Sequence, residues 1–113
     1  MTISVRPASF VARATMSGIV DLTGATAIVA LITPSIWTPA VVTIQGSPDG
    51  VTFYDLHDGT PNTELRFNVF LNSMTMINPN RLRCCQLLKL RSGTAAAPVI
   101  QNLACQFGVV VET

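Results

Sequence analysis

The sequence predicts an all-β domain, an antiparallel β-sandwich of jelly-roll-like kind, on three observations. Apolar residues recur with a period of two in several separate stretches, which is the mark of strands with one buried face. Turn signals rich in Gly, Pro, Asn and Asp fall between those stretches at close spacing. No interval between them carries a helical stripe, and β-branched residues are abundant throughout.

Taken in order, residues 1–17 are the least patterned and are expected to form an N-terminal arm or edge strand, with the sandwich domain over 18–113. The apolar run 25–32 stops at Thr33-Pro34. Segments 40–45 and 51–56 flank Ser47-Pro48-Asp49-Gly50, where Pro presets φ, Asp suits the next position and Gly accepts the positive φ that follows, so a hairpin turn is expected with Gly50 left-handed. Over 64–71 the odd positions Leu65, Phe67, Val69 and Leu71 are apolar and alternate with Glu64, Arg66 and Asn68. Over 81–91, Leu82, Cys84, Leu88 and Leu90 face one way and Arg81, Arg83, Lys89 and Arg91 the other, giving a strand with a basic stripe. Over 103–111 the inward set is Leu103, Cys105, Phe107, Val109 and Val111. Ala95-Ala96-Ala97 is held to a loop by Ser92-Gly93 before it and Pro98 after it.

At 113 residues the chain has room for one core. Only 12% of residues are charged against 49% apolar, so apolar area beyond that of an ordinary monomer surface awaits burial, and assembly is the expected outcome. No apolar run reaches the roughly 18 residues of a membrane span, and the N-terminus lacks the features of a signal peptide. A soluble protein made in the cytoplasm, with no membrane partner, is expected. Three cysteines argue against a disulfide framework, and with His57 the single histidine there is no metal-ligand set and no cofactor motif. Cys84 and Cys105 read as buried thiols and Cys85 as partly exposed.

The only cluster resembling chemistry is Asp49, Asp55, His57 and Asp58, and its members are the residues that turns require anyway. Gly-x-Ser-x-Gly elbows and Gly-rich phosphate loops are missing, so no enzyme is expected. The net charge of +1 gives no overall pull on nucleic acid, and the basic stripe lacks interleaved aromatics. The acids Asp49, Asp55, Asp58 and Glu64 nevertheless precede a basic block of Arg66, Arg81, Arg83, Lys89 and Arg91. Two readings stand: an ordinary solvated surface, or complementary patches joining identical subunits in a ring. Candidate interface residues are therefore Arg81, Arg83, Lys89, Arg91, Asp55 and Asp58. Trp37 joins them as an interface anchor or a stacking platform.

Asp21-Leu22, Ile32-Thr33-Pro34 and Trp37-Thr38-Pro39-Ala40 lead into Ser47-Pro48-Asp49-Gly50-Val51-Thr52-Phe53-Tyr54-Asp55-Leu56, followed by Asn78-Pro79, Leu88-Lys89-Leu90-Arg91-Ser92-Gly93-Thr94 and Pro98-Val99-Ile100-Gln101. From about residue 21 onward this order of motifs resembles a family of short structural proteins of tailed phages and prophages. The resemblance implies a virion component that decorates the capsid, joins the neck or carries a fibre, and it brings no catalytic residue. The expectation that follows is a capsid decoration (cement) protein, a homotrimer that clamps the major capsid protein from outside. The alternative is a neck or tail-fibre adhesion module that binds host-surface carbohydrate through Trp37 and the loop aromatics.

Overall fold

The chain is a long hairpin rolled up on itself. The computed structural model describes residues 2–59, 63–80, 82–83 and 85–113. Among these lie β1 (Ile3–Phe10), β2 (Val20–Asp21), β3 (Ala27–Ile32), β4 (Val42–Ser47), β5 (Tyr54–Asp55), β6 (Arg66–Phe67), β7 (Met74–Met76), β8 (Leu87–Ser92) and β9 (Cys105–Glu112). β1 pairs with β9, β2 with β8, β3 with β7, and β4 with both β5 and β6, every pair antiparallel. Additional β3–β9 and β4–β8 pairings merge these into two sheets, ordered β1-β9-β3-β7 and β2-β8-β4-β5, with β6 continuing β5 along the edge of β4. Strands alternating between two sheets in this order make a jelly roll.

The alternation read from the sequence decides which side chains meet between the sheets. Ala8, Phe10, Ile28, Leu31, Phe107, Val109 and Val111 from the first sheet pack on Val20, Val42, Ile44, Phe67, Leu88 and Leu90 from the second. Phe10, Trp37 and Phe107 form an aromatic cluster, with ring centroids 4.6–5.9 Å apart and tilted or edge-on contacts. Residues from the first 17 are thus part of the same core, β1 forming one edge of the first sheet.

Several expected strands are shorter than the alternation implied, for one physical reason. A strand that must hand the chain to the other sheet cannot stay in its ladder. Segment 64–71 is strand only at Arg66–Phe67, because residues 68–73 carry the chain across to β7, with Asn72 in the left-handed region at φ 56°. Leu71 is accordingly exposed and Val69 only half-buried. Leu103, expected in the core, is 63% exposed, since it belongs to the crossover from β8 and the strand begins at Cys105. Cys105 itself is half-buried rather than buried, as is Cys85. Over 81–91 the ladder starts at Leu87, although Leu82 is buried; Arg81 and Cys84 lie outside the described residues.

The turn after β4 is built as its residues require. Asp49 Oδ1 accepts hydrogen bonds from the Val51 and Thr52 amides and the Ser47 hydroxyl, while Ser47 Oγ accepts from the Gly50 amide. Gly50 has φ 79°.

Candidate functional site

Four crossovers, 11–19, 33–41, 68–73 and 93–104, meet at one end of the sandwich. Arg13 donates its amide to the Gln101 carbonyl, the Gln101 amide bonds back to Ala14, and the Asn72 amide bonds to the Pro34 carbonyl, so these loops form one surface. Gln101 is its organiser. Its side chain, in a residue 1% exposed, accepts from the Thr38 amide at 2.7 Å and donates to the Thr38 carbonyl at 2.9 Å and Ser92 Oγ at 2.8 Å. Every strong polar position of that amide except one acceptor site is used, which ties crossover 93–104 to crossover 33–41 and to the end of β8, while the Gln101 main chain holds crossover 11–19.

The composition of this end is unusual. Arg13 is the only charged residue in the four crossovers. Val11, Ile36, Phe70, Leu71, Ile100 and Leu103 are all large apolar side chains exposed there, Val11, Phe70 and Leu103 by 63–70%. A shallow depression lies between Ile36, Trp37, Gln101 and Leu103. Single exposed apolar residues are ordinary, whereas a collected and uncharged set marks a contact surface. The sequence separates these residues widely, so only the crossovers' common end brings them together.

The candidate interface residues fall elsewhere. Arg91, placed by alternation on an exposed basic stripe, is buried: its guanidinium donates to Glu64 Oε2 at 2.9 Å and Asp55 Oδ1 at 2.8 Å. Asp55 of β5 and Glu64, just before β6, meet the Arg91 side chain across β4, which overturns the exposed placement. Glu64 Oε1 also accepts from the Ala95 amide, and Asp55 accepts from Gln45 Nε2. The hydrogen bond from Arg91, helped by that from Gln45, holds the Asp55 carboxyl below the usual aspartate range. Acidic and basic blocks do meet, but within one chain. Lys89 sits with Nζ 4.5 Å from the Phe53 ring centroid. Arg83 and Asp58 are exposed near other turns, and Arg81 lies outside the described residues.

Trp37 is 6% exposed and donates Nε1–H to the Ala40 carbonyl, so it anchors the core beneath the loop end and offers no open ring face as a platform. The Asp49, Asp55, His57 and Asp58 cluster is dispersed in the same way. Asp49 caps its turn and is held low by the amides of Thr52 and Val51, Asp55 serves Arg91, and His57 Nδ1 lies 3.3 Å from the Asp55 carbonyl oxygen. Among the described residues no group of three His, Cys, Asp or Glu side chains is placed to hold a metal ion. Among the described residues no helix is long and apolar enough to cross a membrane.

No protein-family model, curated protein or solved structure matches the chain.

Proposed function

We propose that the protein is a non-enzymatic structural component of a phage virion, made in the host bacterial cytoplasm and bound to the capsid as a decoration protein. The observation that carries this reading is the apolar loop end, charged only at Arg13: seven exposed large apolar side chains, Ile19 included, on four crossovers joined through Gln101 and the main-chain bonds between them. The motif order that resembles phage structural proteins supports the choice of partner. Jelly rolls serve capsids and lectins alike, so the fold by itself does not choose between them. Of the aromatics on which the carbohydrate alternative rested, Trp37 is withdrawn into the core, and Phe70 stands exposed on the loop end among aliphatic side chains.

The mechanism follows from geometry. A rigid end whose one charge is Arg13 gains from the apolar contacts it makes, at roughly 25 cal/mol per Å2 buried. One such contact is weak, but many copies bound to one shell stabilise the bound form by mass action and hold neighbouring subunits together. The test is re-binding of purified protein to particles stripped of it. Leu103→Glu and Val11→Glu, both at exposed positions, should lose binding while keeping the native fold, and about 1 M salt should leave wild-type binding intact, because no ion pair is involved. Release of the wild type by salt, with both variants binding normally, would overturn the assignment of this surface.

A further inference from the structure

A second apolar surface lies on the outer face of the first sheet, and its layout identifies what fits it. Along β1 the even residues Ala8 and Phe10 enter the core, so Ile3, Val5, Pro7 and Ser9 point out. In β3 the ladder with β9 shifts register between Ile28 and Ala30, which sends Ile28 and Leu31 inward and Ala30 and Ile32 outward. Two complete apolar rows then cross all four strands: Val5, Val110, Ala30 and Met76 in one, and Pro7, Gly108, Ile32 and Met74 in the next. Met76 is 73% exposed, Met74 57% and Val5 54%. Gly108 keeps the middle low; a Cβ there would lie 2.8 Å from Val5 Cγ1 and 3.3 Å from Ile32. At the ends of β9 stand Gln106 on one side and Glu112, the only charge among the strand positions of this face, on the other.

We infer that this face is a homotypic docking surface, on which a second copy of the chain stacks with its strands antiparallel about a two-fold axis lying across the strands. Under that operation, centred between the two rows, large meets small at β9 and β3, where Val110 and Ala30 are already buried low in the face, and Val5 meets Pro7 at the β1 edge. Val110 falls opposite Gly108 of the second copy, and Ile32 opposite Ala30. Methionine meets methionine at the β7 edge, where a flexible thioether adapts to the surface it finds. Glu112 falls opposite Gln106, whose Oε1 takes the Ser9 hydroxyl and leaves its amide N–H groups for the carboxylate. The other two-fold, along the strands, would set Glu112 against Ala27 and desolvate it with no donor. A charged partner finds only Glu112 on the strand positions of this face to complement, while two copies in this register bring no like charges together.

The size suits a weak contact. Strands of eight, eight, six and three residues, at about 4.8 Å spacing and about 3.4 Å rise, give a plan area of about 400 Å2. That lies below the roughly 600 Å2 per partner at the low end of stable interfaces, in the range of transient association. Edge-to-edge pairing through β1 is blunted by Pro7, which lacks an N–H, so contact falls to the face. This arrangement is two-fold, unlike the homotrimer that the resemblance to phage structural proteins led us to expect, and it does not depend on the virion reading.

Sedimentation of the full chain tests it. The wild type should dimerise in the micromolar range, and Met76→Glu and Val5→Glu should be monomeric with unchanged circular dichroism and thermal midpoint. Leu103→Glu, on the loop end, should dimerise normally. Register is tested by charge: Gln106→Glu should weaken dimerisation roughly tenfold, because it faces Glu112 twice in a two-fold contact, and adding Glu112→Lys should restore it. The two positions lie about 20 Å apart along one strand, so rescue cannot arise within a chain. A wild type monomeric at about 100 µM, a trimer, or a dimer indifferent to the Gln106 and Glu112 changes would each overturn the proposal. A monomer that still binds particles would leave the virion reading standing, and a dimer that does not would remove that reading alone.

Discussion

Arg91→Ala is the sharpest perturbation of the fold, because a single guanidinium ties the β5–β6 edge to β8. Its loss strands Glu64, whose side chain is 9% exposed and retains only the Ala95 amide. Asp55 suffers less: its side chain is 35% exposed, and Gln45 and water remain to it. The cost is therefore dominated by one uncompensated buried carboxylate, about 3–5 kcal/mol when one partner of a buried pair is removed. With an unfolding entropy of about 2.1 cal/mol/K per residue, the thermal midpoint of a domain this size should fall by roughly 12–20 °C. Differential scanning calorimetry measures it directly. A double variant, Arg91→Met with Glu64→Gln, should recover much of the loss, since neither charge is then buried. A midpoint lowered by less than about 4 °C in Arg91→Ala would show that the network is solvated.

Three other outcomes are expected. Phe107→Ala, which removes a fully buried ring from the aromatic cluster with Phe10 and Trp37, should destabilise the protein by about 3–5 kcal/mol in urea titration. Gln101→Leu should cost about 1–3 kcal/mol, because it removes the partner of the Thr38 amide and carbonyl and of the buried Ser92 hydroxyl, and should speed hydrogen exchange in 33–41 before the strands. Asp21, Asp49 and Asp55 are all held below the ordinary aspartate value, by Thr23, by the Thr52 and Val51 amides, and by Arg91 respectively. Folded carboxyls with lowered values bind fewer protons than unfolded ones, so their contribution should be complete above the ordinary aspartate range and fade as pH falls through it, which acid-titrated denaturation will register.

The strand phases were legible in the sequence because burial on one face imposes a period of two, and Leu65, Phe67, Leu88, Leu90, Phe107 and Val109 are buried as that period implies. Strand ends were not legible. Leu103 keeps perfect alternation yet lies in a crossover, since where a strand leaves its sheet is decided by the partner sheet. Arg91 was misplaced for a related cause: alternation names a face but not what covers it, and the β5–β6 edge comes from 36 and 27 residues earlier in the chain at Asp55 and Glu64. The Gln101 clamp and the collected apolar loop end depend on four distant segments meeting. The only local sign of either was the absence of charge in those crossovers, which the low overall charge hinted at without giving a location.

The most direct measurement is mass spectrometry of gradient-purified particles from cells that carry the gene. The account predicts the chain in those particles, in many copies per shell and in fixed ratio to the major capsid protein. Finding it only in the soluble fraction, with the particles complete without it, would contradict the proposal.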